Sequence, residues 1–282
     1  MKQNQVWFVT GASKGFGFEI TKAALKAGHK VVATVRSNPG RLSSQFNSKD
    51  LFVVVLDVTK EGQVKDGVKQ AIDQFGRIDV LVNNAGFGLL GAIEEISDSE
   101  AKRQFDTNVF GLLNVTRAVL PFMRKERLGH IINISSVLGY ATLFPGLAIY
   151  SATKFAVEGI SEGLSLELEP FGISVTAVAP GLFRTDFTSS DSYQNAEAEL
   201  EAYKDTVGLR RVAVKDLHGN QPGDPAKLAS VVVQIASGDH PPRHLPIGRD
   251  SVAAIRAKYN STAKEVDEWE ELSSSTDHAV VA

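Results

Sequence analysis

The sequence predicts an α/β protein: a doubly wound parallel sheet of about seven strands with helices on both faces, in one domain covering residues 1–282. Three observations carry this expectation. Short runs rich in Val and Ile alternate with longer amphipathic stretches from residue 5 to residue 180. The runs are continuously apolar rather than alternating, as in strands covered on both faces. No internal repeat or linker divides the 282 residues, 43% of which are hydrophobic, so the chain can bury a substantial core.

The elements follow in order. "QVWFVT" (5–10) is a strand leading through a glycine-rich turn into a helix at about 16–28, stopped at Gly28. "KVVATV" (30–35) and "LFVVVLDV" (51–58) are the next strands, and a helix at 61–75 ends before Gly76. "DVLVNNA" (79–85) is a fourth strand. "SDSE" (97–100) has the Ser-x-x-Glu form of a capping box and opens a helix over 98–126. "HIINISS" (130–136), a helix at 150–170 and "ISVTAVAP" (173–180) complete a series of βαβ units, which require right-handed crossovers. Residues 182–223 are polar and irregular, placed where a substrate lid would sit. A helix near 224–237 and a strand at "HLPIG" (244–248) precede a charged C-terminal extension, 250–282, whose last ten or so residues read as mobile.

Composition narrows the function. A net charge of -3 with Lys and Arg interspersed leaves no basic footprint for nucleic acid. The chain has no Cys, which excludes disulfides, thiolate catalysis and Cys-ligated metals, and no metal site is expected. "MKQNQVWFVTGAS" runs straight into a strand without the apolar stretch of a signal peptide, and no run is long enough to span a bilayer. A cytoplasmic location follows as an expectation.

"VTGASKGFGFEI" places Gly11, Gly15 and Gly17 between the first strand and the first helix. Glycines let backbone approach a pyrophosphate, and the helix start offers N–H groups and partial positive charge. A turn required only for packing is the competing reading. The second strand ends in Val35 and Arg36, without the carboxylate that a NAD ribose usually needs. Arg36, with Lys14 in the glycine loop, matches a 2′-phosphate and favours NADP(H), unless both are merely solvated charges. Further on, "YSATKFAVEG" sets Tyr150 and Lys154 four positions apart on one helix face. Spacing alone does not separate a proton-transfer pair from two ordinary residues.

Taken together, "TGASKGFG", "LDV" (56–58), "NNAG" (83–86), "NVFG" (108–111), "INISS" (132–136), "YSATK" (150–154) and "PGLFRT" (180–185) resemble the short-chain dehydrogenase/reductase family, from residue 5 to about 190. The wording around Tyr150 looks most like its hydroxysteroid and retinol dehydrogenases. The resemblance implies a Rossmann-type fold, a nicotinamide cofactor and a catalytic tetrad of Asn108, Ser136, Tyr150 and Lys154. Tyr150 would be the acid/base, its pKa lowered by Lys154, which would also hold the nicotinamide ribose. Ser136 rather than Ser135 would hold the substrate oxygen, and the Asn108 side chain would anchor a water leading from Lys154 to solvent. The cofactor would lie along Gly11, Ser13, Lys14, Gly15, Phe16 and Gly17, with Asp57 and Val58 at the adenine. Asn84, Ala85 and Gly86 would line the cleft, and Pro180, Gly181, Phe183 and Thr185 would close over the nicotinamide. From Ser136 to Tyr150 the chain has one residue more than the family's common spacing, which puts the path of that loop in doubt.

Leu138, Tyr140, Leu143, Phe144, Leu147, Leu182, Phe183 and Phe187 are candidates for the substrate pocket, with Leu138, Tyr140, Phe144 and Phe187 foremost. Apolar walls predict a lipophilic ketone, aldehyde or secondary alcohol. Ala152, Ala156, Gly159 and Gly163 form a small-residue stripe that either packs on the chain's own sheet or makes a homodimer or homotetramer contact. A non-catalytic NADP(H) sensor on the same fold is the alternative function.

Overall fold

A computed structural model describes residues 4–46, 48–185, 192–217 and 219–278. Its main sheet has seven parallel strands: β1 (Val6–Val9), β2 (Lys30–Val35), β3 (Leu51–Val55), β4 (Val80–Asn83), β6 (Gly129–Ile134), β7 (Ile173–Pro180) and β9 (His244–Ile247). They lie in the order β3-β2-β1-β4-β6-β7-β9. The remaining two, β5 (Gly88–Leu90) and β8 (Tyr193–Asn195), form a small parallel pair of their own. The helices are α1 (Gly15–Lys26), α2 (Pro39–Ser43), α3 (Glu61–Phe75), α4 (Asp98–Phe105), α5 (Gly111–Glu126), α6 (Ala148–Leu168), α7 (Leu209–Leu217), α8 (Pro225–Ala236) and α9 (Arg249–Ser274). This is the doubly wound fold that the apolar runs predict.

Strand periodicity explains how both faces are filled. In β1, Trp7 and Val9 point to one face, where Ile20 and Ala24 of α1 and Leu228 and Val232 of α8 cover them. Phe8 points to the other, against Val64 and Val68 of α3 and Val115, Val119 and Met123 of α5. Every core strand needs apolar side chains on both sides, which is why its run is unbroken.

β1 pairs with β2 on one side and β4 on the other, so chain direction around the sheet reverses there. Ligands of open α/β sheets bind in the crevice outside such a switch point, at the carboxyl ends of the strands.

Three features differ from the sequence-based expectation. The predicted helix 98–126 is α4 and α5 joined through a single π turn at Asp106–Phe110, which centres on Asn108. Residues 193–200, read from the sequence as irregular, are bound to the body: β8 pairs with β5, and the Leu200 and Ala196 amides bond to Glu95 and Leu90. The charged extension, given no secondary structure from the sequence, is helical up to Ser274, in the 26-residue helix α9. Among the described residues no helix is long and apolar enough to cross a membrane.

Candidate active site

The turn after β1 is shaped by glycine and clamped by the residues after β4. Gly11 and Gly15 have φ of +65° and +59°, a region that side chains other than glycine's rarely enter. A Cβ on Gly17 would lie 2.5 Å from both the Asn84 side-chain nitrogen and the Gly11 carbonyl oxygen. The Asn84 amide donates to the Thr10 and Gly11 carbonyls at 2.8 and 3.1 Å. The Thr10 hydroxyl in turn accepts from the Asn84 and Ala85 N–H groups at 2.9 and 3.0 Å. Asn84 therefore fixes the loop as well as facing the cleft. Lys14 precedes α1 and gives it no side-chain cap, so the positive end of that helix remains for an anion.

The loop bounds a cleft of about 1120 Å³. Of the sequence-predicted residues, Gly11, Ser13, Lys14, Gly15, Phe16, Arg36, Asp57, Val58, Asn84, Ala85, Gly86, Ser136, Tyr150, Lys154, Pro180, Phe183 and Thr185 share its wall. Gly17, Asn108 and Gly181 stand behind it. Arg36 is exposed just past β2 and has no carboxylate within ion-pair distance among the described residues. Asp57 is held by Thr59, whose N–H and hydroxyl donate to it at 2.9 and 2.8 Å.

Three side chains converge where β6 ends and α6 begins. Ser136 caps the short turn Val137–Gly139, accepting from the Leu138 N–H at 3.1 Å, and its hydroxyl also bonds that of Tyr150. Ser135 faces the other way, toward the Lys154 carbonyl and Glu158. Lys154 lies one helical turn beyond Tyr150, its Nζ 5.8 Å from the centre of the tyrosine ring and donating to the Ile134 carbonyl at 2.8 Å. Both side chains are buried, and burial disfavours their charged forms. The Tyr150 hydroxyl is pushed up, well above the ordinary phenol value, against the opposing hydrogen bond from Ser136. Lys154 is pushed down to about 8, with the Glu158 charge opposing the shift. In its own surroundings Tyr150 is thus held as a neutral phenol, the reverse of the direction that the resemblance implies.

Asn108 works through structure. Its amide nitrogen donates to the Phe87 carbonyl at 3.0 Å and to the Thr153 hydroxyl at 3.1 Å, while its oxygen accepts the Phe87 N–H at 3.0 Å. Thr153 donates to the Tyr150 carbonyl at 2.7 Å. The side chain therefore ties the segment after β4 to α6.

Behind Lys154 lies a network that sequence reasoning misses. The Tyr140 hydroxyl donates to Glu158 Oε2 at 2.8 Å and is 2.8 Å from His244 Nδ1, which is 3.3 Å from the same carboxylate oxygen. His244 Nε2 is 3.3 Å from Glu162. Tyr140 is thus bonded to Glu158 and His244 and takes no part in the cleft wall, contrary to its expected place in the substrate pocket. Burial pushes the Glu158 carboxyl up, against donors from Ser135, Tyr140 and His244. The partners lie 18 and 86 residues apart in sequence, so no local pattern signals them.

The remaining pocket candidates surround Tyr150. Leu138 and Leu147 pack with it, with Leu90 and Val207, in one apolar cluster that Phe144 borders. The Arg210 guanidinium stacks 3.8 Å above the Phe144 ring. Leu143 is exposed, and Leu182 and Phe183 line the cleft. Phe187 lies outside the described residues. Glu95, fully buried as a side chain, accepts from Arg211 at 2.7 Å and from the Ala92 and Leu200 amides at 2.8 and 2.9 Å. It holds Leu200 and Arg211 to the segment after β5, and its sequence signal is acidity alone.

Comparison with known proteins gives one consistent outcome. A family model described as short chain dehydrogenase matches residues 5–196. Oxidoreductase BOA17 of Botryotinia fuckeliana is 37% identical over 277 residues, 95% of this chain and 98% of that protein. The 3-ketodihydrosphingosine reductase of Bacteroides thetaiotaomicron is 39% identical over 246 residues, 87% of this chain and 88% of that one. The crystal structure of a short-chain dehydrogenase from Streptomyces avermitilis superposes with a TM-score of 0.90 at 39% identity, over 98% of this chain and 100% of that one. Solved relatives hold both nicotinamide cofactors. A 3-ketoacyl-(acyl-carrier-protein) reductase from Brucella melitensis contains NADH (27% identity, TM-score 0.73, 87% and 97% coverage). ElxO contains NADP (28% identity, TM-score 0.74, 89% and 100% coverage). With its sheet order and its glycine turn beside Tyr150 and Lys154, and matched over this length, the chain belongs to the short-chain dehydrogenase family of oxidoreductases.

Proposed function

We propose that the protein is an NADP(H)-dependent reductase of lipophilic ketones or aldehydes, working in reverse on the matching alcohols. The observation that carries this reading is the Ser136–Tyr150 hydrogen bond with the Lys154 ammonium one turn away, in the wall of the cleft that starts at the glycine loop. The cofactor, when bound, supplies the hydride. The loop fits its pyrophosphate, because Gly11, Gly15 and Gly17 bring bare backbone to the uncapped start of α1. Lys14 and Arg36 favour the form carrying a 2′-phosphate.

The protein's own groups handle the proton and the position. Ser136 holds the substrate oxygen. Tyr150, a buried neutral phenol, donates its proton to that oxygen as negative charge develops there. This protonation state supports the reductive direction. Lys154 stays an ammonium below about pH 8 and stabilises charge left on Tyr150. Leu138, Leu147, Leu90 and Val207 exclude water around the phenol, which supports an apolar substrate. The Bacteroides relative is named for reducing a keto compound, the functional group this reading needs.

The α6 stripe supports a homodimer or homotetramer. A Cβ on Gly159 or Gly163 would meet nothing within 4 Å, so these glycines face away from the chain's own sheet, and Phe155 and Leu166 are exposed beside them.

The test is a screen of NADPH consumption over hydrophobic ketones, aldehydes and quinones, with NADH in parallel. A substrate turned over by the parent should lose at least ~10²-fold in kcat with Tyr150→Phe. Full activity in that variant, or turnover of small anionic carbonyls alone, overturns the reading.

A further inference from the structure

Helix α9 outruns the body that it packs on. Its buried residues are Ser251 and Ile255, yet the helix continues to Ser274, a further ~28 Å at about 1.5 Å per residue. The face that buries Ile255, and on which the Tyr259 ring meets that of Tyr140, carries on into solvent. Residues 255, 259, 262, 266 and 269 follow a four-three spacing and place Ile, Tyr, Thr, Val and Trp in one stripe. Tyr259, Val266, Trp269 and the neighbouring Leu272 are between 59% and 63% exposed. From residue 263 onward the helix is exposed on every side and lacks the packing that stabilises most protein helices.

The charges on this segment are sorted rather than mixed. Arg256, Lys258 and Lys264 occupy the first half, whereas Glu265, Asp267, Glu268, Glu270 and Glu271 occupy the second. No salt bridge forms between them within α9 among the described residues. A parallel neighbour of the same kind would put like charges side by side. An antiparallel one puts each basic half against an acidic half, and does so twice by two-fold symmetry. The stripe has the matching property: with Tyr259 opposite Trp269, Thr262 falls opposite Val266, and Arg256 lies beside Glu270. The cluster of carboxylates also argues against an anionic lipid surface as the occupant of this face.

We propose that α9 of one copy pairs antiparallel with α9 of a second copy, through the stripe from Tyr259 to Trp269 with opposite-charge halves in contact. This contact is separate from the α6 face and does not depend on the catalytic reading.

The full-length protein tests it. Because the chain contains no Cys, Ala263→Cys, next to the proposed two-fold axis, can be linked to itself by a short bis-maleimide without background. Dimeric product should form at Ala263→Cys and be at least tenfold weaker at Asp267→Cys, on the outer side of the pair. Two charge variants supply the second measurement, one with Arg256, Lys258 and Lys264 changed to Glu, the other with Glu268, Glu270 and Glu271 changed to Lys. Each alone should show at least tenfold weaker association by sedimentation than the parent, and an equimolar mixture should regain it. Failure of Ala263→Cys to self-link, or charge variants that assemble like the parent, overturns the proposal. Weakened assembly that the mixture does not restore also overturns it, since α9 would then dock elsewhere on the second copy.

Discussion

Lys154→Met should make the protein more stable while removing its activity. Lys154 is 7% exposed and its pKa falls from 10.5 to about 8, so the folded state carries a desolvation cost for the ammonium of about 3 kcal/mol at pH 7. Methionine keeps the aliphatic stem and removes the charge. It also leaves the Ile134 carbonyl without its donor, a loss of about 1–3 kcal/mol. The variant should therefore unfold with a free energy about 0–2 kcal/mol higher at pH 7. The sign with pH follows from proton binding. Between about 8 and 10.5 the unfolded chain holds more protons on this group than the native protein does, so the parent gains stability as pH rises through that window. Below it the cost is fully present. By pH 9.5 the cost should have dropped to about 1.4 kcal/mol, narrowing the gap between parent and variant by about 2 kcal/mol. Urea unfolding at fixed protein concentration, followed by circular dichroism and by fluorescence of the fully buried Trp7, measures both values. Titrating groups that do not interact with Lys154 cancel in the difference, and Glu158, which does, titrates below this pH window. A variant that is less stable by more than about 1 kcal/mol at pH 7, or a gap that is flat with pH, would refute a buried ammonium at this position.

Other substitutions probe the remaining parts. Glu158→Gln removes a charge that raises Lys154, so the alkaline fall-off of kcat/KM should move to lower pH, and a limb that stays or moves up contradicts the coupling. The groups facing Glu158 (Ser135, Lys154, Tyr140, His244, Glu162 and Tyr259) are unchanged in that variant. Arg36→Asp should weaken NADPH binding about 10–100-fold by titration calorimetry and shift preference to NADH; equal use of both cofactors by the parent contradicts the assignment. Gly17→Ala should weaken nucleotide binding at least tenfold, because its methyl would meet backbone at 2.5 Å, whereas Gly62→Ala, with open space around it, should add about 0.5–1 kcal/mol of stability. Parent-like binding by Gly17→Ala would show that the loop is not fixed by Asn84.

The fold was legible because burial on two faces leaves its mark along the chain. Each strand run from residue 5 to residue 180 is apolar at successive positions, and Gly28 and Gly76 adopt the left-handed conformation, φ +82° at both, that a helix stop needs. Glycines of the first turn were equally visible, since backbone approach excludes other residues. What stayed hidden depends on distance in sequence or on one inserted residue. The π turn at Asn108 adds a residue to a helix without changing its polar pattern, so 98–126 reads as one helix. Asn84 shows its cleft position but not its clamp on Thr10, 74 residues away. Helix α9 reads as a polar tail because its carboxylates cluster and Thr262 interrupts the apolar stripe.

The hidden network also explains how a buried ammonium is kept ionised. Burial alone would take Lys154 further down, and a neutral amine would neither hold charge on Tyr150 nor favour a cofactor phosphate or hydroxyl. The charge that opposes this shift is that of Glu158, one turn along the same helix. That carboxylate is itself buried and would protonate without help, so it requires donors from outside α6. Ser135 supplies one from the end of β6, Tyr140 one from the loop, and His244 one from the edge strand β9. The residue before Tyr140, Gly139, lies tight against this site: a Cβ there would be 2.8 Å from the Ser135 hydroxyl and 2.9 Å from the Lys154 carbonyl. Tyr140 and His244 therefore act on Lys154 through the charge of Glu158 rather than by direct contact.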